Sequence, residues 1–454
     1  MPRRRHGAFR VKDAGTSSET PPRSDAGDAP HDGMTAPPSP YRERDLGVFL
    51  AGRVLTTAAT MVQSVAVGWQ VYDLTRAPLA LGLVGLCEFV PMFLLTLPAG
   101  DIVDRVSPKR IFAASLAAEA LCSALLLLLV FIRLPGVWPI YAVLVLFGAA
   151  RGFAGPAGQS LMPFLVPPER LPRAIAWSSF TFQLAVIAGP ALGGFLYVFG
   201  PSAAYAVCCA GFLGGALGMS LLSGRRSGTG RGTGTTALGR VAEGIAFVRS
   251  RPVVLGAISL DLFAVLLGGA TALLPVFARD ILHTGPVGLG ILRSASAVGA
   301  TAMGFLLTRR PLERRAGTKM FAAVALFGCA TILFGLSRNL ALTLFALVTL
   351  GASDMISVYV RHALVQFATP DAMRGRVSAV NVLFIGASNE LGEFESGVTA
   401  AWWGTVPAVV IGGCGTLAVV AIWMWLFPKL RTVDRLQDVT AGDFVGATDV
   451  GAEL

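Results

Sequence analysis

Charge is scarce in this chain. Only 14% of its 454 residues are Asp, Glu, Lys or Arg, whereas soluble proteins carry about 25%. That deficit excludes an ordinary soluble enzyme and a charge-rich disordered regulator. Histidine is rarer still, with four residues, and the six cysteines sit inside apolar blocks. Their spacing fits neither a zinc site nor a disulfide framework, so they read as small packing residues. No metal and no cofactor is expected. A GxxxxGK[ST] loop is absent, which argues against ATP drive. HExxH and GxSxG are absent too, and no histidine lies deep in an apolar block, so a membrane-embedded enzyme lacks its reacting groups.

What the chain has instead is apolar length. Hydrophobic residues make up 54% of it and mean hydropathy is +0.66. They fall in blocks of about twenty residues, the length that crosses a bilayer. The 53 glycines suit membrane helices, where small residues allow close packing.

Twelve spans follow from these blocks: about 46–72, 78–100, 111–132, 138–161, 173–199 and 202–222, then 252–279, 286–308, 317–336, 340–363, 377–401 and 405–427. Lipid leaves the backbone no way to satisfy itself over such lengths except as helix. The fold class is an all-α membrane protein with two six-helix bundles. The expected parts are a disordered tail (1–44), an N-terminal bundle (45–222), a polar linker (223–251), a C-terminal bundle (252–428) and a second tail (429–454). No apolar segment follows Arg3-Arg4-Arg5, so residues 1–44 do not read as a signal peptide.

The net charge of +10 would suggest nucleic acid in a soluble protein. Here the cations are topological. Most lie in the tails, the linker and alternate connections, such as Lys109-Arg110, Arg225-Arg226 and Arg309-Arg310. The other connections hold Arg76, Arg133, Arg279 and Arg338. By the positive-inside rule, both termini and the linker are cytoplasmic. The expected partners are membrane lipid and a small molecule, with no nucleic acid.

The two halves are related. Pro78-Leu-Ala-Leu-Gly82 matches Pro286-Val-Gly-Leu-Gly290. Gly148-Ala-Ala-Arg151 matches Gly351-Ala-Ser-Asp354. Gly189-Pro190-Ala-Leu-Gly193-Gly194 matches Gly392-Glu393-Phe-Glu-Ser396-Gly397. The order is shared and the offset is nearly constant. Repeated halves of this kind build transporters whose site lies between them, near the midplane.

This layout resembles the major facilitator superfamily from Asp45 to Pro428. Gly100-Asp-Ile-Val-Asp104-Arg105-Val-Ser-Pro-Lys109-Arg110 looks like the family's connection between helices two and three, departing from it at Ser107-Pro108. Gly189-Pro190-x-x-Gly193-Gly194 resembles its fifth-helix antiporter motif. Arg374-Gly-Arg376-Val-Ser-Ala and Ser388-Asn-Glu-Leu-Gly-Glu-Phe-Glu-Ser-Gly look like the branch of enterobactin exporters and macrolide-efflux proteins. The resemblance implies a monomeric, multi-pass protein of the bacterial inner membrane that exports an amphipathic small molecule in exchange for protons. Uptake by proton symport and a non-transporting receptor or scaffold stand as alternatives.

Charges inside spans are the candidates for mechanism, because an ionisable group in hydrocarbon costs roughly 2.5–3.5 kcal/mol by insertion scales. Glu88 lies ten residues into its span, about 15 Å deep, and Asp261 is as deep. Glu119, Arg151 and Asp354 sit mid-span or toward the cytoplasm. Glu390 and Glu393 are three residues apart and share a helix face, whereas Glu395 points elsewhere. Such carboxyls could load and release a proton; the alternative is static hydrogen bonding between helices. The resemblance puts Arg151, Asp261 and Asp354 at or near the cavity. Gly100, Asp104, Arg105, Lys109 and Arg110 would form a gating loop, or merely fix orientation. Gly189, Pro190, Gly193 and Gly194 would pack a kinked fifth helix closely, with or without a gating role. Arg53 and Arg361 are expected to snorkel toward the cytoplasm. Gln63, Trp69 and Gln70 could meet a substrate, but Trp69 and Tyr72, like Trp402 and Trp403, read first as an interfacial belt.

Overall fold

The structure is a computed structural model that describes residues 40–133, 136–222, 237–312, 314–370 and 373–435. Helices dominate throughout. The N-terminal half comprises α1 (Pro40–Thr75), α2 (Pro78–Arg105), α3 (Pro108–Ile132), α4 (Trp138–Leu165), α5 (Leu171–Tyr197) and α6 (Pro201–Leu221). A linker helix, α7 (Ala237–Ser250), precedes α8 (Pro252–Gly268). This seventh span then breaks into a 3-10 turn (Ala270–Leu273), one helical turn α9 (Leu274–Val276) and a π-helical stretch (Phe277–Ile281). The remainder is α10 (Gly285–Arg309), α11 (Ala316–Leu336), α12 (Leu340–Ala368), α13 (Arg374–Trp403), α14 (Thr405–Leu426) and a short α15 (Pro428–Arg431).

Local sequence sets many of these boundaries. Proline opens α2, α3, α6 and α8, where its missing N–H costs nothing. Asn339 caps α12, its side chain accepting from the amides of Ala341 at 2.9 Å and Leu342 at 3.3 Å.

Eleven segments among the described residues are both long and apolar enough to cross a membrane. The twelfth, α13, has the length at 30 residues but carries Glu390, Glu393 and Glu395. Large apolar side chains such as Phe131, Trp138, Trp402 and Trp425 cover the outside, as lipid requires. Trp402 and Trp403 are exposed, in keeping with a belt.

Three boundaries differ from the sequence expectation. The first helix begins at Pro40 rather than near 45. The linker contains a helix: Gly244 of α7 packs against the backbone of Arg376, and Glu243 pairs with Arg376 at 2.7 Å. The start of the C-terminal tail is also anchored. Leu430 is buried, and the amides of Ala316 and Gly317 donate to the carbonyls of Asp434 and Val433. Residues 1–39 and 436–454 lie outside the described residues.

The repeat has a physical counterpart. In the first half α4 lies parallel to α2, with Gly148 against the Glu88 carbonyl. In the second half α12 lies on α10 in the same way, with Gly351 against the Ser296 carbonyl. The two halves meet through α2 on α13 and α5 on α10. A Cβ on Gly194 would lie 2.4 Å from the Pro286 carbonyl, and one on the matching Gly397 would lie 3.1 Å from the Pro78 carbonyl. Only glycine allows that approach on both sides of the pseudo-twofold. Gly189 and Gly193 serve a different contact, seating α5 on Met61 and Val62 of α1.

The contacts between halves gather at the end of the bundle where α1 ends and α2 begins. There one apolar cluster draws on both halves: Val65, Trp69, Tyr72 and Leu81 pack with Leu273, Phe277, Leu289 and Leu292.

Candidate functional site

A polar cavity of about 220 Å³ lies where the halves meet. From the first half it is lined by Ser64 and Gly68 of α1, Gly85 and Glu88 of α2, and Arg151 of α4. From the second half come Arg293 of α10 and Glu390 and Glu393 of α13. Arg151 is ion-paired with Glu88, and the close seat of Gly148 on α2 brings their helices together. Glu119, buried on α3, lies near enough to Arg151 for electrostatic attraction. A Cβ on Gly85 would stand 3.3 Å from a carboxylate oxygen of both Glu390 and Glu393, so the two glutamates converge on one bare patch of α2.

Arg293 completes the cluster and was not singled out from the sequence. Its guanidinium donates to the Ser64 hydroxyl across the boundary between halves. The signal was present: position 293 is the repeat partner of Gly85, and a cation inside a span needs a partner. Among the described residues the cavity therefore holds three carboxylates against two guanidiniums.

Other expected residues are placed elsewhere. Asp261 is buried and ion-paired with Arg361, with the Ser357 hydroxyl at 3.5 Å. Neither residue lines the central cavity. Arg361 does not snorkel. It is 2% exposed, because pairing with Asp261 inside the second bundle replaces hydration at the surface. Asp354 is half-buried on α12 and also lies off the cavity.

In the expected gating loop, the side chains of Asp104 and Arg105 lie outside the described residues. Lys109 donates to the Leu222 carbonyl and so closes the end of α6, whereas Arg110 is exposed and Gly100 has open space around it.

At the opposite end the structure corrects the reading of Trp69 and Tyr72. Both are buried between the halves rather than lying in a belt. Tyr72 donates to Asp280, Arg279 pairs with Asp73 and stacks over Trp69 at 5.4 Å, and Arg76 lies 3.6 Å from Asp280. Gln63 lines the central cavity, and both it and Gln70 have partners in their own half. Ser123 donates to the Gln63 carbonyl oxygen at 2.6 Å and Tyr205 to that of Gln70 at 2.5 Å.

Two glycine-seated six-helix bundles around a charged cavity define a multi-pass membrane protein, a secondary transporter of the major facilitator superfamily. More narrowly, the chain belongs to the transmembrane secretion effector family, whose profile matches residues 35–448. It is similar to the multidrug efflux pump Tap of Mycolicibacterium fortuitum, 27% identical over 83% of this chain and 94% of that one. It also resembles macrolide efflux protein A of Streptococcus pyogenes (23%; 85% and 96%) and the enterobactin exporter EntS of Citrobacter koseri (25%; 85% and 92%). The fold matches a bacterial homologue of the human lysosomal transporter Spinster in an inward-facing, unoccupied conformation. Identity there is 14%, with a TM-score of 0.66 over 87% of this chain and 97% of that one. The family and these relatives are transporters rather than enzymes.

Proposed function

We propose that the protein exports an amphipathic small molecule across the bacterial inner membrane in exchange for protons, with both termini and the linker in the cytoplasm. The observation that carries this reading is the cavity shared by the halves, with Glu88, Glu390 and Glu393 facing Arg151 and Arg293. One negative charge is in excess, and a proton can balance it. Because α13 brings two of the carboxylates and α2 the third, rocking the halves changes the separation of the charges and their access to water. That links proton occupancy to conformation without any nucleotide. The charged connections and tails support the orientation, and the names of the efflux relatives support export.

The arrangement also supports a cycle. The halves are joined at the end carrying Asp73 and Asp280, and under this reading the central cavity exchanges with the opposite, cytoplasmic side. Protonation and cargo binding would then favour release of the joined end, as alternating access requires.

Reconstitution in liposomes with an enclosed pH dye tests this. Macrolides and enterobactin are the first cargoes to apply. The expected result is cargo-dependent proton flux, reduced at least about tenfold in Glu393→Gln and Glu390→Gln, a barrier change of about 1.4 kcal/mol. Cargo movement without proton flux would refute the coupling. Labelling of Ser227→Cys from outside intact cells would overturn the orientation.

A further inference from the structure

A second cavity, of about 540 Å³, opens between α4 and α5 with α1 as its floor. It lies nearer the start of α1 than the central cavity does. Along α1 its Arg53 is seven residues from Thr60 of the central cavity, about 10 Å at 1.5 Å per residue. Among the described residues the two cavities share no lining residue.

Size separates their roles. Sites for drug-sized molecules occupy roughly 300–1,000 Å³. The central cavity falls below that range and the second falls within it. Chemistry separates them further. Among the described residues, no carboxylate lines the larger cavity. Its polar groups are the Arg53 guanidinium, the amides of Gln159 and Gln183 and the hydroxyls of Ser178 and Ser179, set among apolar side chains that include Phe182. Arg53 stacks on Phe49 at 5.9 Å, and among the described residues it has no carboxylate partner. A guanidinium inside a span without a counter-charge leaves its strongest donor capacity for something that enters.

We propose that this cavity is the cargo site, and that it selects amphipathic molecules bearing an anionic or acceptor-rich group, which Arg53 holds. The proposal rests on the transport reading and adds a substrate class to it. Cargo and proton then occupy separate places. Gln183 ties them mechanically: its amide donates to the Thr301 hydroxyl of α10 at 2.6 Å, across the contact between halves. A cargo group that competes for Gln183 loosens that contact directly.

A matched pair of fluorescent probes tests the class. Dansylglycine presents a carboxylate and dansylcadaverine an ammonium on the same aromatic body. With the full chain in neutral phosphatidylcholine nanodiscs, dansylglycine is expected to bind more tightly than dansylcadaverine. Arg53→Gln should weaken dansylglycine about tenfold and leave dansylcadaverine unchanged, with Arg53→Lys in between. Size-exclusion profiles matching the parent protein confirm that the variants are folded. No dansylglycine binding to the parent protein, equal binding by Arg53→Gln, or a preference for the cation would each overturn the proposal. So would loss of the Arg53-dependent binding in nanodiscs containing phosphatidylglycerol, which would assign Arg53 to a lipid headgroup. Failure of the transport reading looks different: Arg53-dependent binding would persist while cargo-driven proton flux is absent.

Discussion

Arg279 and Asp73 form an ion pair that joins the broken seventh span to the end of the first helix. The Arg279 guanidinium also covers Trp69, and Asp280 beside it accepts from Tyr72. Each half contributes one cation and one anion, so the two halves clasp reciprocally. Under the transport reading this clasp must open once per cycle.

The clasp is partly exposed, with Arg279 and Asp73 side chains 23% and 46% accessible, so its ion pair is worth at most about 1 kcal/mol. Asp73→Asn is therefore expected to raise the population open at that end up to about fivefold. Labelling of Thr60→Cys by an impermeant maleimide added from that side measures it. The charge-swapped double variant, Asp73→Arg with Arg279→Asp, should return labelling toward the parent rate, and higher salt should mimic the single variant.

Asp261 and Arg361 behave differently because water does not reach them. Removing one partner leaves a buried charge alone, at a cost of about 3–5 kcal/mol. Asp261→Asn and Arg361→Met should each lower the thermal midpoint in detergent strongly. Replacing both, Asp261→Leu with Arg361→Met, should recover most of it and retain proton flux. Flux lost in a well-folded double variant would give the pair a role in coupling.

Arg293 supplies one of the two cations in the central cavity and the bond to Ser64. Arg293→Gln is expected to cut cargo-driven flux at least about tenfold while the protein still folds, whereas Ser64→Ala should cost only about 1 kcal/mol of the contact between halves. Comparing liposome flux with thermal midpoint for the two variants separates charge from packing.

The interface glycines give a packing prediction with an internal control. A Cβ at Gly290 would lie 2.4 Å from the Pro190 carbonyl, and one at Gly397 would lie 2.9 Å from the Gly82 Cα. Gly290→Ala and Gly397→Ala should each destabilise the joined end by about 1–3 kcal/mol, read as faster maleimide labelling from that side. Gly386→Ala, where nothing stands within 4 Å, should leave labelling unchanged.

Glu390 and Glu393 show how far the sequence reads into the site. Their spacing already put them on one helix face, and the structure brings both to Gly85. Their cross-bundle partners were not legible, because those partners are fixed by the contact of α13 with α2. Trp69 shows the same limit from the other side. Its position near a span end fits a belt, yet Arg279 and Tyr197 enclose it, since a second bundle occupies the space that lipid would fill.

By itself the sequence determined that the chain is helical, crosses a membrane repeatedly and is built from two related halves. Apolar length, cation placement and the glycine echoes are local properties written along the chain. Tertiary structure alone decided which buried charges meet. It set Arg361 on Asp261, Arg151 on Glu88, and Arg293 between Ser64 and the glutamates of α13. A charge in a low-dielectric interior takes whatever partner the packing brings within reach, and that packing joins residues as far apart as Ser64 and Arg293.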